Sequence, residues 1–149
     1  HIQANVQLKN IEGCLIQEAL IEGKLTAKNV LRLTLDDVWV TGAVKISGKC
    51  PKGTYGCDFT TSGGRFDKDI VVQDYDGSAR LTDLRMKGSK GITLRRFEYK
   101  TWFDGKGVAI DNNIVFNGNI TCDKTVRVTR NENNSVPSGR NTCPPGPEE

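Results

Sequence analysis

The sequence contains very little histidine: His1 is the only one among its 149 residues. Nucleophilic catalysis needs a base beside the nucleophile, so the Ser/His and Cys/His arrangements are excluded. A copper site built on His1 would need a second histidine, and Gly105-Lys106-Gly107 is not a phosphate-binding loop because no helix follows it. We therefore expect no catalytic residue, no metal and no cofactor.

Long apolar runs are also absent, because no stretch of ~18 apolar residues could span a bilayer. The chain begins without a charged segment followed by an apolar one, which predicts either a mature secreted chain or an intracellular one. Five cysteines favour an oxidising compartment. Asn119 and Asn133 begin sequons for N-glycosylation. Together these features predict an extracellular glycoprotein.

The cysteines predict a disulfide framework and not a zinc site. Cys50 and Cys57 are spaced too widely for a zinc knuckle and have no histidine near them. We expect them to close the loop KCPKGTYGC. Of the arrangements open to the others, we expect Cys122 to pair with Cys143, which leaves Cys14 unpaired or joined to another chain.

The length predicts one domain. We expect a β domain over residues 1–130 and an irregular tail over 131–149, tethered by Cys143. The tail is rich in Asn, Pro, Ser, Gly and acid, so little apolar surface offsets the entropy of ordering it.

Three dipeptides, Asp76-Gly77, Asp104-Gly105 and Asn117-Gly118, lie between runs of alternating character. Asp-Gly and Asn-Gly supply the positive φ angles that a type I′ hairpin turn requires. The sequence therefore predicts an all-β protein, mainly an antiparallel meander of hairpins in a curved sheet or sandwich.

Two other patterns leave alternatives open. Ile70, Ile92 and Ile114 begin apolar runs at a spacing near 22 residues, which is typical of a right-handed parallel β-helix. Leu15, Ile16, Ala19 and Leu20 fall at helical spacing, which allows one short helix.

Positive charge is concentrated between residues 80 and 106, where eight basic residues face three acidic ones, although the whole chain carries only +3. Such a segment can attract a polyanion such as heparin. A solvated face with charges that protect a sheet edge is the alternative. The predicted basic patch consists of Arg85, Lys87, Lys90, Arg95 and Arg96.

Several motifs resemble known families. KCPKGTYGC, VVQDYDGSARLTDLRMKG and NGNITCDKTVRVTRNEN resemble a family of small secreted saliva proteins from hard ticks. That resemblance implies interference with host clotting or complement and no catalytic motif. EGKLTAKNVLRLTLDDVWVTGAVKISGK and GSARLTDLRMKG resemble the strand pattern of arthropod tubular lipid-binding proteins, including takeout-like and mite group 7 proteins. The chain is too short for that complete fold and lacks its long helix.

The sequence thus predicts a secreted, non-catalytic binding protein. Its expected partner is an extracellular host protein or a sulfated glycan, and not nucleic acid. A lipid carrier is one rival and would contain a contiguous apolar cavity. A carbohydrate-active enzyme on a β-helix is the other and would contain an acidic cleft with a nearby arginine or lysine. The sequence does not specify the oligomeric state.

Overall fold

The computed structural model describes residues 1–50, 57–88, 90–98 and 107–147. These residues form the following strands: β1 (Val6–Lys9), β2 (Gly13–Gln17), β3 (Leu20–Ile21), β4 (Leu25–Lys28), β5 (Arg32–Asp36), β6 (Trp39–Val40), β7 (Val44–Gly48), β8 (Cys57–Ser62), β9 (Arg65–Phe66), β10 (Ile70–Tyr75), β11 (Gly77–Thr82), β12 (Arg85–Met86), β13 (Gly91–Phe97), β14 (Val108–Asp111), β15 (Ile114–Val115), β16 (Asn119–Cys122) and β17 (Val128–Glu132).

The strands form three sheets in which every pair of neighbours is parallel. Sheet one has the order β1-β4-β7-β10-β13-β16. Sheet two has the order β17-β14-β11-β8-β5-β2, and sheet three has the order β15-β12-β9-β6-β3. Each turn of the chain adds one strand to each sheet in succession, so the coils stack as a parallel β-helix. The prediction of an antiparallel meander is wrong, and the alternative architecture is the one that agrees with these sheets.

The dipeptides that suggested hairpins do not form them. A type I′ turn needs positive φ at both central residues. Among the residues of Asp76-Gly77 and Asn117-Gly118, only Gly118 has a positive φ, at 158°. Gly77 instead allows adjacent coils to approach, because a Cβ there would lie 2.1 Å from the carbonyl oxygen of Cys57. The third dipeptide, Asp104-Gly105, lies outside the described residues.

The described residues contain no helix, so the short helix allowed by the sequence is also wrong. Leu15 and Ile16 belong to β2, and Leu20 begins β3. Between these strands Glu18 takes a left-handed conformation, with φ of 47°. This corner shifts the alternation of apolar residues and so imitates helical spacing.

Aligned residues of successive coils form columns that fill the interior. In sheet two, Leu33 aligns with Phe59, and Phe59 with Ala79; all three are buried. Coil lengths differ: Lys28 follows its aligned Lys9 by 19 residues, whereas Arg95 follows Gln73 by 22. The extra residues of the longer coils lie between the strands, so the aligned columns within the sheets are kept.

Both expected disulfides are confirmed. Cys50 is bonded to Cys57, and Cys122 is bonded to Cys143. Cys14 is free and half-buried. Residues 131–147 follow the coil: β17 extends to Glu132, and isolated bridges join Ser135 to Ile114 and Asn141 to Ile120.

Candidate polyanion-binding face

The five residues of the predicted basic patch lie in two places on the coil. Arg85 is on the outer side of sheet three, and Lys87 follows its strand β12. Lys90 stands immediately before β13, whereas Arg95 and Arg96 are near the far end of β13. Five extended residues span ~16 Å, so Lys90 and Arg95 are separated by most of the width of sheet one.

The two arginines at the end of β13 are held differently. Arg95 donates from Nε and Nη2 to Gln73 Oε1, at 2.9 and 2.7 Å. Arg96 forms two hydrogen bonds with the Asp74 carboxylate, at 2.7 and 3.0 Å. The hydrogen bond from Arg96 lowers the pKa of Asp74 despite some desolvation. Arg96 is therefore paired with a carboxylate, whereas the partner of Arg95 is a neutral amide.

The outward positions along the strands of sheet one contain one carboxylate, that of Asp74 in β10, and Arg96 binds it. In one column Lys9, Lys28 and Ser47 are aligned; beyond a register irregularity between β7 and β10, Gln73 is aligned with Arg95. The neighbouring outward column is formed by Gln7, Thr26, Lys45, Val71, Thr93 and Thr121.

Four cations on this surface are not bound to a carboxylate, although Arg95 and Lys45 are near enough to Asp74 for their charges to help lower its pKa. Lys9, Lys28, Lys45 and Arg95 are exposed, and none forms an ion pair with any residue that the structure describes. Adjacent strands lie ~4.8 Å apart, so Lys9 and Lys28 place two positive charges on neighbouring rungs. We call these four residues the cationic face.

A hollow of about 550 Å³ lies within the cationic face. Its lining residues are Lys28, Asn29, Lys45, Ser47, Gly48, Lys49, Gln73 and Asp74. Ser47, which has a short side chain, is aligned with Lys28 in this lining. A hydroxyl and flexible ammonium groups are suitable donors for an anionic oxygen. Asp74 is the one carboxylate in this lining, and Arg96 already binds it.

Sequence reasoning missed Lys9, Lys28 and Lys45 because it searched for local density of charge. These lysines are far apart in the chain and converge only when coils stack. The signal was present as the interval of 19 residues between Lys9 and Lys28, which equals the interval between Val6 and Leu25 in the same strands. A search for charges at the coil period would have found that pair.

The predicted glycosylation sites lie on the surface. Asn119 and Asn133 are both exposed. The side-chain oxygen of Asn119 accepts a hydrogen bond from the Arg140 backbone N–H, at 2.8 Å. Asn133 takes a left-handed conformation, with φ of 57°. Glycosylation of either residue stays a prediction.

Comparisons with protein-family models, curated proteins and solved structures find no match to this chain. The resemblances to tick saliva proteins and to tubular lipid-binding proteins therefore stay predictions. Within the described ranges, no helix is long and apolar enough to cross a membrane. In the same ranges, no group of three or more His, Cys, Asp or Glu residues is arranged to hold a metal ion.

Proposed function

We propose that this protein is a secreted, non-catalytic binding protein whose cationic face binds a sulfated glycan. The observation that carries the proposal is the set of four exposed cations on one side of a parallel sheet, none of which forms an ion pair with a residue that the structure describes. Like charges on neighbouring strands are unfavourable to the folded protein. A bound polyanion offsets that repulsion at several positions at once, so its binding is more favourable than the binding of a single anion.

The dimensions of the face favour a polymer over a single anion. From β1 to β13 the strand spacing gives about 19 Å between the outermost cations, Lys9 and Arg95. A linear glycan can contact several of these charges at once, and each contact releases counterions. The hollow beside Ser47 would receive one sulfate group, with Lys28 and Lys45 as its charged donors.

Extracellular location is part of the proposal. Two disulfides in a chain of this size are typical of oxidising compartments. Sulfated glycans are found in the same surroundings. A host protein of clotting or complement remains the partner that the tick-saliva resemblance implies, and a glycan-binding face is compatible with it.

Lipid carriage receives less support from the interior. The rival hypothesis requires a contiguous apolar cavity, but large side chains occupy the middle of the coil. Phe59, Phe66 and Tyr75 are all buried there, and Tyr75 packs edge-on against Phe97 with ring centroids 5.8 Å apart.

The test is elution from immobilised heparin. We expect the wild type to be retained at ~0.15 M salt and to elute steeply with increasing salt. Lys28→Ser with Lys45→Ser should elute at clearly lower salt. The matched control is Lys87→Ser with Lys90→Ser, which removes the same charge from the predicted basic patch and should elute close to the wild type.

Two results would overturn this proposal. A wild type that is not retained at ~0.15 M salt has no useful affinity for a sulfated glycan. A loss of retention confined to the Lys87 and Lys90 variant would instead assign binding to the predicted basic patch.

A further inference from the structure

A second surface feature lies on the other side of the coil, where sheet two turns into sheet three. It is a cleft of about 630 Å³. We call it the corner cleft, and its lining residues are Glu18, Ala19, Leu20, Asp37, Trp39, Gly64, Arg65, Asp83 and Arg85. Its charged groups are arranged in two walls of opposite sign.

The acidic wall follows the corner itself. Glu18, Asp37 and Asp83 take left-handed conformations, with φ of 47°, 54° and 57°. Asp tolerates this conformation better than most residues, which accounts for two members of the wall. Gly63, with φ of 67°, occupies the corner between Asp37 and Asp83. Because it has no side chain, the wall has a gap with a carboxylate on either side.

The basic wall stands on sheet three. Arg65 is aligned with Trp39 on one side and with Arg85 on the other. Trp39 Nε1 donates to Asp67 Oδ2 at 2.9 Å, and Arg65 Nε donates to Asp67 Oδ1 at 2.8 Å. The guanidinium of Arg65 also stacks on the Trp39 ring, 4.4 Å from its centroid.

These contacts fix Arg65 before any ligand arrives. Burial raises the pKa of Asp67, but hydrogen bonds from Trp39 and Arg65 outweigh it and the pKa is lowered overall. Asp67 therefore stays ionised at neutral pH and orients both side chains. The Arg65 terminal nitrogens form no hydrogen bond with any residue that the structure describes, so they remain available as a fork of donors.

The two walls do not neutralise each other. In the described part of the chain, Glu18, Asp37, Asp83 and Arg85 form no ion pair. A ligand that bridges the walls needs an anionic group for the guanidinium groups and several hydrogen-bond donors for the carboxylates. A sugar acid has both, as one carboxylate and a set of hydroxyls. The corners of Asp37 and Asp83 are two rungs, about 10 Å, apart, so the spread hydroxyls of a sugar ring can reach both better than the three N–H donors of one ammonium group can.

We propose that the corner cleft binds a uronic acid residue of a polysaccharide, with its carboxylate on Arg65 and Arg85 and its hydroxyls on Asp37 and Asp83. This site is separate from the cationic face and needs no sulfate. The gap at Gly63, next to the lining residue Gly64, leaves room for the sugar ring, and the exposed edge of Trp39 contacts its apolar side.

The test uses trigalacturonate, an unsulfated uronic acid trimer, titrated into the protein by calorimetry. We expect saturable binding by the wild type. Arg85→Gln should weaken it by about tenfold, the loss expected for one hydrogen bond to a charged group. Arg80→Gln, which removes an exposed arginine from sheet two, is the matched control and should bind like the wild type.

A second variant blocks the gap without straining the corner. Gly63→Asn places a side chain between Asp37 and Asp83, where a Cβ would meet no atom closer than 3.9 Å. Asparagine already holds the same left-handed conformation at Asn112 and Asn133. We expect a native circular dichroism spectrum and a loss of at least about tenfold in trigalacturonate affinity.

Three outcomes would overturn the uronic acid assignment. The first is no binding of trigalacturonate by the wild type, and the second is unchanged binding by both variants. The third is equal or tighter binding of maltotriose or a lysyl dipeptide, which would show that the arginine pair does not select a carboxylate. Retention on dextran sulfate, a sulfated polymer without uronic acid, should be unchanged by Gly63→Asn, so failure here leaves the cationic face untouched.

Discussion

The cationic face and the corner cleft occupy the same scaffold but distribute charge in different ways. On sheet one, Lys9 and Lys28 repeat the same charge on neighbouring rungs, and the one outward carboxylate of the strands, Asp74, is bound by Arg96. At the corner cleft, Asp37, Asp83, Arg65 and Arg85 line the same space, and no ion pair joins these acids to these arginines. The first arrangement suits a repeating polyanion, and the second suits a ligand with one acidic group and several hydroxyls.

The difference shows how a parallel coil converts sequence into surface. Each aligned residue becomes one member of a column, and successive members of a column are ~4.8 Å apart. Charge on a face therefore depends on residues one coil apart, and dense local runs are divided among faces. Arg85 and Arg95 are close in sequence, yet they belong to sheet three and sheet one.

The largest expected effect removes the scaffold that both sites share. Leu35→Ala deletes a fully buried side chain and should lower the free energy of unfolding by about 2–5 kcal/mol. Urea unfolding should show a lower midpoint with an unchanged slope. The control is Leu15→Ala in the same sheet, where the side chain is 59% exposed and the change should stay within about 0.5 kcal/mol. Equal effects from the two variants would contradict the inward and outward assignment of sheet two.

The disulfides should separate the two sites. Replacing Cys50 and Cys57 with alanine opens a short loop beside Lys49, which lines the hollow, and should cost about 2 kcal/mol. Heparin retention should fall while trigalacturonate affinity is kept. Replacing Cys122 and Cys143 with alanine opens a longer loop and should lower the free energy of unfolding by about 3 kcal/mol. Neither affinity should change. Loss of both affinities from the first variant alone would argue that the sites are coupled.

Two aspartates allow a matched exchange of charge. Asp74→Asn removes the carboxylate at the rim of the hollow and releases Arg96, so the variant should elute from heparin at higher salt than the wild type. Asp67→Asn makes the same change in net charge on sheet three and should leave elution nearly unchanged. It should weaken trigalacturonate binding instead, because Arg65 loses its orienting partner. Identical heparin elution of the two variants would mean that only net charge matters.

The smallest expected effect is a pH dependence at Asp67. Its pKa is lowered in the folded protein, so its contribution to stability is present above the ordinary value of 3.8 and is lost as pH falls through the folded value. We expect about 1 kcal/mol or less, because the group is partly exposed. Urea midpoints measured between pH 5 and pH 2.5, ~1 unit on either side of the ordinary pKa, should fall less in Asp67→Asn than in the wild type. An equal fall of the urea midpoint in the two proteins would show that Asp67 does not contribute to the pH dependence of stability.

The sequence predicted the all-β content and the disulfides but favoured the wrong strand arrangement. The alternation of apolar and polar residues was visible at Leu33 and Leu35, because a strand that packs against the core buries every second side chain. Strand direction was misread because Asp-Gly was taken as a turn, although Gly77 serves close stacking against Cys57. The step of 22 residues between Ile70 and Ile92 was the correct signal for a coil. Unequal coils elsewhere obscured it.

The candidate sites were less predictable than the fold. Arg95 was identified from local charge, but its companions Lys9, Lys28 and Lys45 come from three earlier coils. The corner cleft depends on which corner residues lack a side chain, as at Gly63, and on hydrogen bonds such as that from Trp39 to Asp67. Neither can be derived until the register of the coils is known.

The most direct test of the cationic face is lysine acetylation of the wild-type protein with and without bound heparin, followed by mass spectrometry of its peptides. Lys9, Lys28 and Lys45 should be strongly protected by heparin, whereas Lys87 on sheet three should react at the same rate in both samples. Protection of Lys87 and Lys90 with continued reactivity of Lys28 and Lys45 would contradict the account, as would uniform protection of every lysine.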